Sequence, residues 1–288
     1  MSLHNAFFKA IGTIIREHHM NSLVTFGAKV CNKYLSYYWN QKHYNMNNNG
    51  ELLLLKTLAS YWHRSSNRPI TVFDVGANTG TYAQLVQKTF HNSVIHCFEI
   101  VPDTRVTLET NLLGSNNIII NDYGLSNTET SLLIGYNNKS DTQAREVSPL
   151  SVPQQNTVIC QVKTGDWYVS KQNIEWIDLL KIDTEGHEIA ILEGFRQILD
   201  DNKIRVIQFE YGTTWIASKH FMHEAYAILE TAGFQIGRLY PNGVFFKPYN
   251  RLEDDHFRMG NYIAIHQTEL SLIQVLNLNN GGNNLKVN

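Results

Sequence analysis

Four side chains able to carry charge or move a proton fall within six residues of one another: Asp183, Glu185, His187 and Glu188. They follow a run, Ile177 to Asp183, that reads as a buried central strand. In an open α/β sheet the carboxyl end of such a strand faces the crevice where ligands bind. Glu210 ends a second apolar run, Val206 to Tyr211, and is expected close to Asp183. A charge in that place needs a partner or solvent. Two chemistries suit the pair. Asp183 and Glu210 can act as base and orienter for an acceptor hydroxyl, or as hard oxygen ligands for Mg²⁺ or another divalent cation. Glu185 sits beside them, and His187 adds an imidazole, a side-chain type that titrates near neutrality. A histidine at a helix start is more often simply solvated, and Glu188 in a first helical turn also complements the helix dipole.

A second constellation lies upstream. Phe73-Asp74-Val75-Gly76-Ala77-Asn78-Thr79-Gly80-Thr81-Tyr82 stands where an apolar strand gives way to a helix. Glycines there let backbone approach a ligand that a Cβ would block. The spacing is G-x-x-x-G, which differs from the G-x-G-x-x-G of nicotinamide dinucleotide sites. Asp74 sits badly beside phosphates but well beside an ammonium group. Glu99 ends the next strand about twenty residues on, where an acid accepts hydrogen bonds from ribose hydroxyls. A ligand with an amine at one end and a ribose in the middle suits both carboxylates, and S-adenosylmethionine is one. Ordinary turn glycines and a surface glutamate are the plainer reading, which the two features in register disfavour.

The D-V-G-A-N-x-G segment resembles motif I of class I methyltransferases in the form found in the FkbM family. Phe98-Glu99-x-x-Pro102 is similar to that family's F-E-P-x-P, with Ile100 in place of the first proline. Gly124-Leu125-Ser126-Asn127 resembles its A-L-S-D, and Leu180-Lys181-Ile182-Asp183-Thr184-Glu185-Gly186-His187-Glu188 resembles its L-K-I-D-x-E-G-x-E. The likeness covers roughly residues 48 to 266. It implies an α/β fold: a doubly wound, mostly parallel, seven-stranded Rossmann-like sheet with S-adenosyl-L-methionine across the carboxyl ends of its strands. Carried over by motif, Asp74, Gly76, Ala77, Asn78, Gly80, Tyr82 and Glu99 line the cofactor pocket, Ile100 packs on the adenine and Asp122 meets the adenine amino group. The family's acceptors point to O-methylation of a saccharide, glycolipid or polyketide-like hydroxyl. N-methylation and a non-catalytic cofactor-binding module are the alternatives, and the acidic residues Asp183, Glu185 and Glu210 speak against the module.

To position these residues the chain offers alternating strand and helix patterns from Ile70 to Leu239, with closing strands at Gly243 to Lys247 and Tyr262 to His266. The alternation is interrupted between Thr128 and Lys163 by a polar insertion or mobile loop containing Pro149 and Pro153. Three regions are expected: a helical extension over 1–66, the methyltransferase domain over 67–268 and a disordered Asn/Gly-rich tail over 269–288. The amphipathic N-terminal helices suit a cover for the acceptor pocket or a homodimer contact. With 26 acidic against 24 basic side chains, bulk charge favours neither nucleic acid nor an anionic membrane. No apolar run reaches the length of a bilayer span, no signal peptide is read, and Cys31, Cys97 and Cys160 are too few and scattered for a disulfide framework, so a cytoplasmic location is expected. His220 and His223 read as a solvated helix face, and Trp39, Tyr44, Tyr211 and Trp215 as core before sugar platform.

Overall fold

The computed structural model describes residues 3–41, 43–63, 68–137, 144–147 and 155–280. Two compact units divide it, Met1–Lys42 and His43–Asn288. The first holds helices α1 (Leu3–Glu17) and α2 (Ser22–Tyr38). In the second, α3 (Glu51–His63) precedes β1 (Ile70–Val75), α4 (Thr81–Thr89), β2 (Ser93–Phe98), α5 (Pro102–Asn111) and β3 (Ile118–Asn121). An inserted group follows: β4 (Gly124–Leu125), β5 (Thr130–Tyr136), β6 (Arg145–Glu146) and β7 (Asn156–Lys163). The alternation resumes with α6 (Gly165–Lys171), β8 (Ile177–Ile182), α7 (Glu188–Gly194), α8 (Arg196–Asp200) and β9 (Ile204–Tyr211). After α9 (Thr214–Ser218) and α10 (Met222–Thr231) come β10 (Phe234–Tyr240), β11 (Gly243–Phe246), α11 (Arg251–Asp254), β12 (Gly260–His266) and α12 (Leu270–Leu276).

The strands form rather than helices because they are short, β-branched and apolar on both faces. β8, Ile-Asp-Leu-Leu-Lys-Ile, is buried at all six positions, as expected of a parallel strand covered by helices on both sides. The large sheet runs β11-β10-β12-β9-β8-β1-β2-β3. Pairs from β9 through β3 are parallel, and β12 is antiparallel to both its neighbours. The chain therefore builds outward from β1 toward β3, then from β8 in the opposite direction. The order reverses between β1 and β8, and that switch point is where such sheets leave a crevice.

The sheet has eight strands where the family resemblance implied seven, and β11 is the closing strand expected from Gly243 to Lys247. It folds back on β10 through Pro241 and Asn242, pairing Tyr240 with Gly243. The Thr128 to Lys163 insertion is a sheet in its own right, ordered β4-β7-β5-β6. Pro149 and Pro153 lie outside the described residues. α7 and α8 follow one another directly, separated where Phe195 turns fully into the core.

Domain limits differ from the expected ones at both ends. Leu54, Leu55, Leu58 and Trp62 of α3 are completely buried, each burial contributing roughly 1.5–3 kcal/mol, so α3 belongs with the sheet and the compact unit starts at His43. At the other end, α12 buries Leu272, Ile273 and Leu276, so packed structure continues past residue 268. The Gly281 to Asn284 stretch lies outside the described residues. Among the described residues no helix is long and apolar enough to cross a membrane, and all three cysteines are free.

Candidate active site

A cleft opens at the switch point, where such sheets bind ligands. Its floor comes from Val75, Gly76 and Asn78 after β1, from Glu99 and Ile100 after β2, and from Asp183 to Glu185 after β8. The inserted sheet supplies the far wall through Leu132, Ile134 and Glu146. The two acidic segments singled out in the sequence thus meet in one cleft.

Gly76 is required by its surroundings as much as by any ligand. Its φ is +80°, and a Cβ there would stand 1.9 Å from the carbonyl oxygen of Asp183. The glycine loop and the Asp183 turn are therefore in backbone contact. Asn78, at φ +48°, donates its backbone N–H to Glu99 Oε2 at 2.9 Å, and Val101 N–H reaches Glu99 Oε1 at 2.8 Å. Burial pushes the Glu99 carboxyl up to about 7 despite these two bonds. Each carboxylate oxygen keeps a further lone pair for a ligand hydroxyl.

The turn after β8 is latched by Glu188. Its carboxylate, 1% exposed, accepts from the Thr184 N–H and hydroxyl and from the Gly186 N–H, at 2.8, 3.1 and 3.0 Å. That latch holds Glu185 at φ +56° and Gly186 at φ +109°, left-handed conformations that cost a residue such as glutamate energy. Glu188 is thus a structural member of the motif, in line with its helix-start reading.

Lys181, which sequence reasoning passed over, sits at the centre of the acidic group. Its ammonium lies 3.1 Å from Asp183 Oδ2 and 3.6 Å from Asp74 Oδ1, and 4.9 Å from the centre of the Tyr82 ring. Burial alone would lower its pKa, but the charges of Asp183 and Asp74 outweigh it and hold the amine protonated. The available signal was a lysine near the end of a strand that is apolar apart from it and Asp178, and such a lysine must find a buried partner. A polar chain continues beneath: Tyr82 donates to Gln208 Oε1 at 3.0 Å, and Gln208 donates to Glu51 Oε1 at 2.7 Å.

Several expected cofactor residues lie elsewhere than on the cleft wall. Asp74 is fully buried below it, and neither carboxylate oxygen is hydrogen-bonded. Tyr82 and Ala77 are buried in the core, Gly80 starts α4 against Leu108 and Leu112, and Asp122 is exposed away from the cleft. Their motif positions are correct for the loop, but they support it from behind or beside. Ile100 does line the cleft, and it packs on Gly124.

Of the acidic residues after β8 and at the end of β9, Asp183 and Glu185 reach the cleft and Glu210 does not line it. Glu210 stands one step past the Ile182↔Phe209 pair, so it neighbours Asp183 in register. Burial first, then the charges of Asp183, Glu185 and Glu188, raise its pKa well above the usual carboxylate range. His187 lines the cleft with both ring nitrogens engaged, Nε2 with Ser126 Oγ at 2.9 Å and Nδ1 with Glu146 Oε2 at 3.5 Å. The hydrogen bond to His187 lowers the Glu146 pKa. Among the described residues no three His, Cys, Asp or Glu side chains converge as a cation would require. The place beside Asp183 is taken by the Lys181 ammonium. His220 pairs with Glu224 at 2.9 Å, and Tyr211 and Trp215 form a buried edge-to-face pair.

Comparison with known proteins agrees with this arrangement of motifs. The model of the methyltransferase FkbM domain matches residues 74–236, more than half of the sequence. The chain belongs to the FkbM methyltransferase family. Among similar proteins, the hexuronic acid methyltransferase AglP of Haloferax volcanii is 25% identical over 149 residues, 49% of this chain and 56% of that protein. Methyltransferase 1 of Beauveria bassiana is 26% identical over 184 residues, 57% of this chain and 72% of the relative. The match thus spans little more than half the length of AglP. Solved structures similar to the chain include the plantazolicin methyltransferase BpumL in complex with SAH, at 9% identity and a TM-score of 0.42, covering 82% of this chain and 90% of that one. The Methanococcus jannaschii fibrillarin pre-rRNA processing protein is similar at 13% identity and a TM-score of 0.41, covering 69% and 67%.

Proposed function

We propose that this chain is an S-adenosylmethionine-dependent methyltransferase that acts on a hydroxyl of a saccharide, glycolipid or polyketide-like acceptor. The observation that carries the reading is the convergence of Glu99, the Gly76 to Asn78 backbone and Asp183 in a single cleft at the switch point. Glu99 lines the cleft and retains lone pairs for two ribose hydroxyls, and the backbone N–H groups of Asn78 and Val101 hold its carboxylate in place. The hexuronic acid named for AglP favours a sugar acceptor.

When bound, the cofactor supplies an electrophilic methyl group on sulfur. The chain's own part is to bind, align and take a proton. Glu99 and the glycine loop fix the donor, and the insertion wall shields the cleft from water, so that positioning lowers the barrier. Asp183 is the carboxylate that faces the acceptor, held by the Lys181 ammonium, and it accepts the hydroxyl proton as attack proceeds. Glu210 neighbours Asp183 in register, and burial with the surrounding acids raises its pKa. His187 is a strut between α7 and the inserted sheet, because both of its nitrogens are already occupied.

Transfer of label from methyl-labelled cofactor into uronic-acid saccharides, with mass spectrometry to locate the added methyl, tests the reading. Label on a sugar oxygen is expected. Label on nitrogen would instead select N-methylation, and cofactor binding without transfer to any extract component would select a binding module. The account expects chelators to leave activity intact; activity lost to chelation and restored by Mg²⁺ would assign Asp183 and Glu210 to a cation.

A further inference from the structure

The net charge of the whole chain conceals a segregation. Residues 1–50 carry five basic side chains, Lys9, Arg16, Lys29, Lys33 and Lys42, against the single acid Glu17, a net charge of +4. The remaining chain carries 19 basic and 25 acidic side chains, a net charge of −6. The basic excess therefore sits on the two helices of the first compact unit and the residues just after them.

These helices also present apolar surface. α2 has no buried residue. Leu23, Phe26, Val30, Tyr34 and Tyr37 recur at steps of three and four, which places them on one face, and each is between 50% and 78% exposed. Lys29 and Lys33 border that stripe one turn apart, and the Lys33 ammonium lies 4.6 Å above the Tyr37 ring. In α1, Phe8, Ile14 and Ile15 are 48% to 58% exposed, with Lys9 and Arg16 beside them in sequence.

We propose that α1 and α2 form an interfacial anchor that lies in the headgroup region of an anionic phospholipid bilayer. An apolar stripe rich in aromatics and bordered by lysines is the pattern of helices that rest in that plane, the stems of the lysines lying along the apolar boundary and their charges meeting lipid phosphates. The charge argues against a second copy as the occupant. Two α2 stripes packed together would bring their Lys29 and Lys33 flanks into one interface, and Ser22–Tyr38 contains no acid to offset them. Gly27 and the tyrosines are also poor knobs for a coiled-coil seam. The segment lies on the membrane and does not span it, because α2 is 17 residues long and includes two lysines. This inference stands apart from the methyl-transfer reading, since vesicle binding is measured without cofactor or acceptor.

The test uses the full chain in co-sedimentation with vesicles of phosphatidylcholine alone or of phosphatidylcholine mixed with phosphatidylglycerol. Binding is expected only to the mixed vesicles, and it should weaken as salt rises. A Lys29→Glu, Lys33→Glu variant should bind about tenfold more weakly or worse. Phe26→Ser with Tyr34→Ser should also weaken binding at unchanged charge. Because these side chains are exposed, helix content and the unfolding transition should match wild type in both variants. Absence of wild-type binding to the mixed vesicles would overturn the proposal. So would equal binding by the variants, or a dimer that forms in place of vesicle binding and dissolves in the Phe26→Ser, Tyr34→Ser variant.

Discussion

The two ends of the central strands carry polar clusters of opposite character. At the amino ends of β1, β8 and β9, Asp178 is completely buried yet fully satisfied. It accepts a bidentate pair from Arg68 at 2.7 and 2.9 Å, the Thr71 N–H at 2.8 Å and Arg205 at 3.0 Å. Arg205 in turn reaches Glu269 at 2.6 Å. Two acids face two arginines, and every lone pair of Asp178 is used. At the carboxyl ends, Asp74 and Asp183 share one lysine, Glu185 and Glu210 add two further acids nearby, and the Asp74 oxygens have no hydrogen bond. Burial and mutual repulsion push Asp74 and Glu210 up. Balanced, saturated clusters hold a fold together. An unbalanced one is tolerated where it binds or reacts with something, and perturbed carboxyls in a cleft mark such places.

Substitution can break that contrast in both directions. The largest expected effect is on stability at the balanced end. Asp178→Ala would leave two arginines without their shared partner and should lower unfolding free energy by about 3–5 kcal/mol, toward the lower figure because Arg68 is 40% exposed. Urea unfolding with tryptophan fluorescence measures it, and a loss below about 1 kcal/mol would mean that the cluster is not what secures this edge. At the unbalanced end, Asp183→Asn should reduce turnover by roughly 10²-fold while the protein stays folded, because Asp74 still faces the Lys181 ammonium. A variant that is destabilised yet active would reverse the assignment. The smallest effect is expected of His187→Gln, which removes a strut and no acid–base group. Its turnover should stay within about tenfold of wild type, and a larger loss accompanied by a shifted pH profile would transfer the base to His187.

The same contrast separates what the sequence discloses from what it conceals. The alternation of apolar runs discloses a mostly parallel α/β sheet but not its strand order, and Glu99 and Asp183 were legible because motif spacing puts each at a strand end. Lys181 was not assigned, although it lies within the quoted L-K-I-D motif, because its role depends on which carboxylates the register brings beside it. Asp74 and Tyr82 fall at the expected motif positions, but the side on which a side chain emerges from a turn depends on local φ and ψ, and both point beneath the loop. Glu146 could not be paired with His187 from sequence, since 41 residues and an insertion separate them. The charge segregation of residues 1–50 was present in the sequence throughout and was averaged away by counting the whole chain.

Calorimetric titration with S-adenosylhomocysteine, on wild type and Glu99→Gln at pH values on both sides of neutrality, tests the central claim most directly. Wild type should bind in the micromolar range. Because burial holds Glu99 at about 7, its carboxylate is charged above that pH and gains a proton below it, so affinity should fall as pH drops through 7. Glu99→Gln should bind about tenfold more weakly above neutrality or worse, and its affinity should lose that pH dependence. No binding by the folded wild type, or equal affinity and equal pH dependence in the folded variant, would contradict the placement of the cofactor in this cleft.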